Sequence, residues 1–472
     1  MNWEQLLSTK RRRESGSKYG KGTDLRSEFE KDYHRIIGSA SFRRLQDKTQ
    51  VFPLDKSDFI RTRLTHSLEV SSFAKSLGQN IGENILTYRK DSGFTQKMKE
   101  DICSILQCAG LIHDIGNPPF GHFGEYAIRR WFKENLPRLQ YHGKPLEQVL
   151  TPRMIRDFYH FEGNAQALRL VSRLHFLVDE NGMNLTYGLL SSIIKYPVSS
   201  LEVNPASRDI KEKKMGYYLA DEELFQDIVK ETGTNGARHP LVYILEAADD
   251  IAYKTADIED AFVKGFIGFD KLSELLRKLE SEKPPVSGGF KGADKLEELY
   301  QRGLEKGVED PREYAIKNWI VRLQAFLIQC ATDGFNTHYH EIMEGRYPSD
   351  LFHGTFAQSL MELLGKLAYR EVFTSETIYR MEVAESSILN DLMDRFLEAA
   401  IRYDDPQASL DAIGKRLMSF VSSNYKRAYH RQAEGRSEEE KLYLRLLLAT
   451  DYICGMTDSY AKRLYQEMKG II

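Results

Sequence analysis

Cysteine is scarce in this sequence, and long apolar runs are missing from it. Its four cysteines, Cys103, Cys108, Cys330 and Cys454, show no spacing typical of a metal or redox motif, so they predict reduced thiols in a protein core. No stretch approaches the roughly 20 apolar residues of a membrane span. The first residues, Met-Asn-Trp-Glu-Gln, lack the apolar segment of a signal peptide. We therefore expect a cytoplasmic protein that has no membrane partner.

The sequence also lacks an excess of charge of one sign. Its 66 Lys and Arg residues face 69 Asp and Glu residues, which leaves a net charge of -3. This balance argues against a protein that coats nucleic acid unspecifically, although a local basic patch is compatible with it. The hydrophobic content of 41% and the charged content of 29% are those of an ordinary globular protein.

Sustained alternation of apolar and polar residues, the pattern of a half-buried strand, is absent as well. Apolar residues recur at helical spacing instead, in 102–112, 243–261, 314–330, 360–369, 387–400 and 441–468. The predicted fold class is therefore mainly α.

We expect three regions along the chain: a basic N-terminal arm over 1–35, a helical core over 36–270, and a helical C-terminal region over 271–472 that packs on the core and completes its pocket. The arm contains Lys10 to Arg13 and is interpreted either as mobile and solvated or as a contact for phosphate or a partner. The stretch from 281 to 294 is the clearest loop. The polar, Lys-rich stretch from Val198 to Asp221 predicts a surface excursion.

The most informative stretch is Leu111 to Glu125, Leu-Ile-His-Asp-Ile-Gly-Asn-Pro-Pro-Phe-Gly-His-Phe-Gly-Glu. The apolar periodicity before it predicts a buried helix that carries His113 and Asp114 at its C-terminal end. Gly116 is expected to adopt a left-handed cap, and the two prolines that follow prevent the helix from continuing. At a helix end that faces a cavity, an imidazole beside a carboxylate can bind a cation. Many such pairs, however, simply lie on solvated surfaces.

A second histidine, His66, lies in the first turns of a long amphipathic helix, near its apolar face. A lone histidine in that position is more often a hydrogen-bonded core residue. Arg63, one turn earlier, favours a functional role instead, because it lies at the same end of the helix.

A third candidate segment is the helix from Tyr243 to Ala261. Asp249, Tyr253 and Asp257 are spaced i, i+4, i+8 and share one face of it. Two adjacent aspartates, Asp249 and Asp250, among alanine and isoleucine are costly unless a cation is near. The alternative is a solvated acidic face.

Together, His66, His113, Asp114 and one aspartate of the 249–250 pair would form a site of two imidazoles and two carboxylates. This donor set suits Mn, Fe, Co, Ni or Zn, and Mg where phosphate and water complete the coordination. Four protein ligands leave about two positions open in an octahedral site. The pattern therefore indicates a metal centre that can take a phosphate oxygen.

Other side chains fit a phosphate substrate. Arg63, Lys195 and Tyr196 can neutralise or hydrogen-bond phosphoryl oxygens. His122 and Glu125 are i, i+3, so the carboxylate can orient the imidazole as a general acid for an alkoxide leaving group. The alternative for His122 is a structural histidine beside the metal ligands.

The ordered set His66, His113-Asp114 and Asp249 resembles the H…HD…D pattern of the HD-domain phosphohydrolases. Longer motifs resemble the bacterial deoxyguanosine triphosphate triphosphohydrolases (dGTPases): Phe42-Arg43-Arg44-Leu45, Lys48-Thr49-Gln50-Val51-Phe52, Arg61 to His66, His113 to His122, Phe161 to Gln166, Glu246 to Ile251 and Gly455-Met456-Thr457-Asp458. The resemblance covers nearly the whole chain and is weakest from 265 to 440. It implies an HD-domain catalytic helical core with additional C-terminal helices.

The resemblance implies hydrolysis of a dNTP, with dGTP favoured, to the deoxynucleoside and tripolyphosphate. One divalent ion, Mg or Mn before Fe, Co, Ni or Zn, would be bound by His66, His113, Asp114 and Asp249. Asp249 is preferred to Asp250 because the family's tyrosine and sugar-contacting aspartate follow the ligand by one and two turns. The resemblance further implies that His122, with Glu125, protonates the leaving 5′-oxygen. Gln50 and Asp257 would contact the 3′-hydroxyl, and Tyr253 would exclude a 2′-hydroxyl. The phosphates would be bound by Arg63, Lys195 and Tyr196, and Asn164 would line the pocket.

The resemblance also implies a homo-oligomer, a hexamer, and contact with single-stranded DNA, with which the basic residues Arg11 to Arg13 are compatible. Two alternative functions are an HD-type phosphodiesterase or nucleotidase, and a non-catalytic protein that binds a nucleotide or single-stranded DNA. A degenerate binding protein would be expected to lack some of the metal and acid residues, yet all are present. The preference for dGTP follows from the resemblance alone, because no residue that reads a guanine edge can be named.

Overall fold

A computed structural model describes residues 1–13, 24–50, 61–89, 92–175, 181–283 and 289–471. Within these ranges the chain folds into 22 α-helices and one two-stranded antiparallel ribbon, in which Gln140–Tyr141 (β1) pairs with Lys144–Pro145 (β2). The predicted mainly α fold class is therefore confirmed. Val51 and Phe52 of one quoted motif, part of the basic arm (14–23) and part of the predicted loop (284–288) lie outside the described residues.

The helices of the first 263 residues are α1 (Trp3–Leu6), α2 (Glu28–Ile37), α3 (Ala40–Arg44), α4 (Arg63–Asn84), α5 (Gln96–Ile112), α6 (Gly121–Asn135), α7 (Leu146–Val149), α8 (Pro152–Tyr159), α9 (Gly163–Arg169), α10 (Tyr187–Ser192), α11 (Glu222–Thr232) and α12 (Pro240–Val263). Short 3₁₀ turns follow or precede them at Leu45–Asp47, Ile210–Glu212 and Leu219–Asp221, and π-helical turns at Ile85–Arg89 and Leu170–Leu174.

The later helices are α13 (Phe269–Glu282), α14 (Gly292–Glu305), α15 (Pro311–Thr337), α16 (Tyr339–Met343), α17 (Phe356–Ala368), α18 (Glu376–Arg402), α19 (Ala412–Phe420), α20 (Ser423–Ala433), α21 (Glu438–Cys454) and α22 (Asp458–Lys469), with a π-helical turn at Tyr369–Phe373. Among the described residues, no helix is both long and apolar enough to cross a membrane.

The helices that carry the candidate site residues begin with clear local signals. The Thr62 hydroxyl accepts a hydrogen bond from the Thr65 amide at the start of α4, and the Thr65 hydroxyl accepts one from Thr62 in return. Helix α12 starts at Pro240, where the missing amide proton costs nothing, and the His239 side chain accepts from the amide of Leu241. These caps set the registers of α4 and α12, and therefore the directions of His66 and Asp249.

Two apolar clusters form the interior. The first lies between α4, α5 and α12 and extends to α13–α17, with Leu77, Leu106 and Ile251 among its members. The second lies between α6, α8 and α18–α22, with Phe132 and Phe396 among its members. The helices after residue 271 are thus divided between both clusters, and the C-terminal ones reach the helix that carries His122. The domain boundaries at 35 and 270 stay predictions.

The first residues pack against the body of the protein. Trp3 and Leu6 are buried, and the Trp3 indole donates to the Tyr339 hydroxyl at 2.9 Å. Arg11 is buried too, and its guanidinium donates to Asp32 at 2.5 Å and to the Asn184 carbonyl at 2.6 Å. The interpretation as a mobile solvated arm is therefore wrong for residues 1–13, because their apolar and charged groups have partners in the core.

Gly116 does not adopt the left-handed backbone that the sequence predicted, so that prediction is wrong. Helix α5 ends at Ile112, and a short turn leads from it past Gly116 to the prolines. A Cβ at residue 116 would lie 2.1 Å from the Ala167 amide nitrogen and 2.2 Å from the Gly163 carbonyl oxygen. Glycine is needed here because α9 approaches the turn closely.

The stretch predicted as a surface excursion, 198–221, is only partly at the surface. Met215, Tyr217 and Tyr218 are buried. The excursion interpretation is wrong for this part, and the apolar run from Met215 to Leu219 was the signal against it.

Candidate active site

Three helices bring two imidazoles and a carboxylate to one point. His66 comes from the first turns of α4, His113 directly follows α5, and Asp249 lies in the middle of α12. One ligand atom from each residue lies within 4.8 Å of those of the other two. Asp249 Oδ1 is 3.1 Å from His66 Nε2 and 3.5 Å from His113 Nε2. The side chains therefore share a common centre.

The His113 imidazole offers one nitrogen, Nε2, to a ligand. His113 Nδ1 lies 2.8 Å from the Gly110 carbonyl, to which it donates, and this hydrogen bond leaves the Nε2 lone pair directed at the centre. His113 Nε2 is buried and has no hydrogen-bond partner among the described residues. A buried acceptor without a donor is costly, and a cation would satisfy it. Two imidazoles and carboxylate oxygens form a donor set that fits a divalent metal ion.

Asp114 lies at the edge of this centre. Its Oδ1 is 3.6 Å from His113 Nε2 and accepts from the Asn117 amide at 2.8 Å. Its Oδ2 accepts from Arg63 at 2.5 Å. Asp114 therefore can reach a cation in the centre while Arg63 holds its other oxygen.

The electrostatics of the centre favour positive charge. Burial alone would lower the pKa of His113, but the carboxylates of Asp114 and Asp249 outweigh it and raise that pKa to about 9. Burial would raise the pKa of Asp249, but His113 and His66 hold it well below its usual range. The same field that stabilises a proton on His113 would stabilise a metal ion.

Asp250, the neighbour of Asp249, turns away from the centre. Its carboxylate pairs with Lys254 at 3.1 Å, one turn later on α12. Of the two adjacent aspartates, only Asp249 is among the three residues that share the centre.

His122 and Glu125 form a pair on the first turns of α6. His122 Nδ1 is 3.2 Å from Glu125 Oε2, and the His122 side chain is 77% exposed whereas that of Glu125 is 2% exposed. Burial would raise the pKa of Glu125, but the hydrogen bond and the charge of His122, with Lys214, lower it to about 2. The Gly163 amide donates to Glu125 Oε1 at 2.8 Å. A fixed, ionised carboxylate thus orients an imidazole that is exposed to solvent.

Two basic residues predicted for phosphate binding, Arg63 and Lys195, each interact with a carboxylate at or near the centre. Arg63 is buried, and a Cβ at Gly121 would lie 2.3 Å from its guanidinium. Lys195 Nζ is 3.3 Å from Glu246. Burial would lower the pKa of Lys195, but Glu246 outweighs it and raises that pKa, with further contributions from Asp249 and Asp250. The Lys195 ammonium therefore stays charged within range of the centre.

Tyr196 is buried next to Lys195, and its phenol pKa is raised by burial. Asn164 follows Gly163 at the start of α9, and its amide donates to Glu162 at 2.8 Å. These two residues thus lie beside groups of the candidate site. Their contacts with the described residues do not assign either a more specific role.

The face of α12 beyond Asp249 carries the predicted sugar contacts. Asp257 is buried, and burial raises the pKa of its carboxyl to about 8 although a hydrogen bond from Tyr253 opposes the shift. Gln50 Oε1 is also buried and has no hydrogen-bond partner in the described part of the chain. Both groups are available for a ligand hydroxyl.

Sequence reasoning missed three residues of this region. Lys214 pairs with Glu162 at 2.9 Å and contributes to the low pKa of Glu125. Lys48 and Asp458 stand in the quoted motifs, but the structure places both in buried contacts with the turn between α5 and α6. The only sequence signal for Lys48 and Asp458 was their membership of those motifs.

An HD domain matches residues 63–234, and a phosphohydrolase-associated domain matches residues 355–467. Together with the His-Asp centre, these matches define a phosphohydrolase of the HD class, and thus an enzyme. The chain is 47% identical, over the whole of both chains, to a deoxyguanosinetriphosphate triphosphohydrolase-like protein of Listeria monocytogenes. It is 33% identical to one of Synechocystis over the whole of both chains, and 33% identical to a deoxyguanosinetriphosphate triphosphohydrolase of Serratia proteamaculans over 94% of each.

The chain therefore belongs to the deoxyguanosinetriphosphate triphosphohydrolase-like family, and the resemblance read from its motifs is confirmed.

Proposed function

We propose that the protein hydrolyses a dNTP, with dGTP favoured, to the deoxynucleoside and tripolyphosphate. The observation that carries the proposal is the common centre of His66, His113 and Asp249. Two turns beyond Asp249 on α12 lies the buried Asp257, whose carboxyl has a raised pKa. The relative from Serratia proteamaculans, which is named a deoxyguanosinetriphosphate triphosphohydrolase, supports the choice of substrate.

His66, His113, Asp114 and Asp249 would hold one divalent ion, with Mg or Mn expected before Fe, Co, Ni or Zn. Such an ion would supply Lewis-acid polarisation of the α-phosphate. Arg63, already bound to Asp114, would donate to the phosphate chain. Lys195 and Tyr196 would neutralise and hydrogen-bond the same chain.

In this reaction a water oxygen bonds to the α-phosphorus and releases its proton to solvent, and the bond from phosphorus to the 5′-oxygen breaks. His122 would donate its proton to that 5′-oxygen, and Glu125 would hold the imidazole in place through Nδ1. The alkoxide leaving group is a strong base, so its protonation lowers the barrier. Tripolyphosphate and the deoxynucleoside then leave, and His122 takes a proton from solvent.

The sugar would lie along α12. Asp257 and Gln50 would hydrogen-bond the 3′-hydroxyl, because Gln50 Oε1 is buried without a partner among the described residues and the buried Asp257 carboxyl has a raised pKa. Tyr253 would exclude a 2′-hydroxyl, and Asn164 would line the pocket. A site built this way selects deoxynucleotides by shape and by the 3′-hydroxyl.

We also propose a cytoplasmic homo-oligomer, a hexamer by resemblance to the dGTPases, that contacts single-stranded DNA. Arg11 forms a buried ion pair with Asp32, so its guanidinium is not available to bind DNA. Sedimentation with and without an oligonucleotide tests both points.

Product analysis tests the reaction. Each of the four dNTPs is incubated with Mg or Mn, alone and in mixtures, and the released phosphates are separated. Tripolyphosphate from dGTP supports the proposal, whereas orthophosphate or pyrophosphate alone favours a phosphodiesterase or nucleotidase. Binding without any turnover favours a non-catalytic protein.

His122→Ala tests the acid. Turnover should fall about 10²-fold or more while metal binding is retained. Unchanged turnover with the metal still bound would show that His122 is not the acid.

A further inference from the structure

A single buried carboxylate from the end of the chain holds two segments of the candidate active site. Asp458, 1% exposed, is the first residue of α22. Its Oδ2 accepts from the amide of Thr49 at 2.9 Å and from the Thr49 hydroxyl at 2.7 Å. Its Oδ1 accepts from the amide of Phe120 at 2.9 Å. The carboxylate thus joins residues that are 338 and 409 positions away in the chain.

The Phe120 contact supports a strained backbone. Phe120 has φ 64° and ψ 17°, a left-handed conformation that costs a residue with a side chain roughly 1–2 kcal/mol. It immediately precedes α6, whose first turns carry His122 and Glu125. The direction in which α6 starts, and therefore the place of His122, depends on this conformation.

The Thr49 contact supports the other segment. Gln50, whose buried Oε1 has no partner among the described residues, directly follows Thr49. Thr49 also forms an antiparallel bridge with Thr62, and the Lys48 carbonyl accepts from the Arg63 amide at 2.8 Å. Asp458 therefore holds the backbone that carries Gln50 and flanks Arg63.

Lys48 also connects the C-terminal segment to the turn that precedes α6. Its buried ammonium donates to the Asn117 carbonyl at 2.5 Å and to the Cys454 carbonyl at 2.8 Å. The C-terminal segment 454–458 is thus attached to both ends of the turn from Asn117 to Phe120.

Asp458 is not needed to cap its own helix. Thr457 performs that role, because its hydroxyl accepts from the Tyr460 amide. Its hydrogen bonds from Thr49 and Phe120 are instead directed at the active-site segments.

We propose that Asp458 is a positioning residue, which sets the places of His122 and Gln50 from the C-terminal helices. The role of His122 in this inference rests on the proposed function. Asp458 would touch neither substrate nor metal, and it would act only through Phe120 and Thr49.

Asp458→Asn tests the inference, because it keeps the shape but replaces one acceptor oxygen by an amide group that cannot accept from an N–H. We expect kcat to fall between about 10- and 100-fold, while metal affinity is unchanged. Ser459→Ala is the matched control. It removes a hydrogen bond of the neighbouring residue to Asp47 but touches neither Thr49 nor Phe120, so kcat should stay unchanged.

A double-mutant cycle with His122→Ala separates positioning from general loss of structure. If Asp458 acts through His122, Asp458→Asn should lower kcat little further in the His122→Ala background. Thr49→Val, which removes only the hydroxyl donor, should raise KM for a dNTP more than it lowers kcat. If Asp458→Asn does not fold, Thr49→Val still tests the contact between Thr49 and Asp458.

Any of three kinetic results would overturn the inference: wild-type turnover by Asp458→Asn, full multiplication of the two losses in the double variant, or unchanged KM and kcat in Thr49→Val. An NMR spectrum with labelled histidine keeps this test separate from the proposed function. Asp458→Asn should shift the His122 imidazole signal and leave the metal-site histidines unmoved, even if the wild type proves inactive on dNTPs. An unshifted His122 signal would also contradict the inference.

Discussion

Asp249 and Asp257 lie two turns apart on the same face of α12, yet the pKa values of their carboxyl groups shift in opposite directions. Burial would raise the pKa of both carboxyl groups, because it disfavours the charged form. At Asp249 two imidazoles outweigh enclosure and hold the pKa well below its usual range. At Asp257 the hydrogen bond from Tyr253 is too weak to do so, and the pKa rises to about 8.

The difference shows that neighbours, and not burial alone, decide what each aspartate can do. Asp249 remains an anion and can bind a cation. Asp257 is protonated near neutral pH before a ligand arrives, so it can donate a hydrogen bond to a sugar hydroxyl as well as accept one. One helix thus carries an anionic carboxylate and a carboxyl group of raised pKa two turns apart on the same face.

The largest effect should come from Asp249→Asn. Loss of the anionic oxygen from the shared centre should reduce turnover by at least about 10²-fold and weaken Mn binding measured by calorimetry. Asp250→Asn is the matched control, since that carboxylate pairs with Lys254 outside the centre. If Asp250→Asn is the more damaging variant, the ligand assignment on α12 is wrong.

The next effect concerns stability and pH. The pKa of Asp257 is about 8 in the folded protein and 3.8 in the unfolded chain. Its neutral form therefore contributes stability that is fully present below pH 3.8 and is lost as the pH rises through 8. Asp257→Asn cannot ionise, so it does not lose this stability. The excess of its free energy of unfolding over that of the wild type should therefore be larger at pH 9 than at pH 4, by on the order of 5 kcal/mol.

Urea unfolding of the two proteins at both pH values, without substrate, measures this difference. A constant difference between variant and wild type across the range would mean that the Asp257 pKa is not raised.

A smaller effect is expected on catalysis by the same variant. Asp257→Asn should lower kcat/KM for a dNTP about 10-fold, the cost of one impaired hydrogen bond to the 3′-hydroxyl. The loss should disappear with a 2′,3′-dideoxynucleotide, which has no such hydroxyl. Equal losses with both substrates would place the role of Asp257 elsewhere.

The smallest effect should follow Tyr253→Phe. The ring that excludes a 2′-hydroxyl remains, so kcat/KM for dGTP relative to GTP should change less than about threefold. Tyr253→Ala, which removes the ring, should lower the ratio of kcat/KM for dGTP to kcat/KM for GTP by about 10-fold. Steady-state rates on both nucleotides measure the contrast, and equal behaviour of the two variants would contradict a steric role.

Sequence reasoning succeeded where the signal is local. The helix before His113, the helix that carries Asp249, Tyr253 and Asp257, and the mainly α class all follow from apolar periodicity and caps. It failed where the determinant is a distant neighbour. Gly116 was expected to terminate a helix, but it is needed because α9 packs on it.

The same limit explains the other errors. For the basic segment the sequence left two interpretations open, and the solvated arm fails at Arg11 because its partners, Asp32 and Asn184, lie elsewhere in the chain. The Lys-rich stretch before Asp221 looked exposed because its short apolar run, Met215 to Leu219, is surrounded by polar residues.

The sequence by itself determined which helices form and which residues could bind a metal or a phosphate, since periodicity, caps and side-chain chemistry are local properties. Only the tertiary structure decided that His66, His113 and Asp249 share one centre, that Asp257 and Asp249 have opposite pKa shifts, and that Asp458 reaches Phe120. These properties depend on distances between residues that are far apart in the chain, and such distances exist only once the helices have packed.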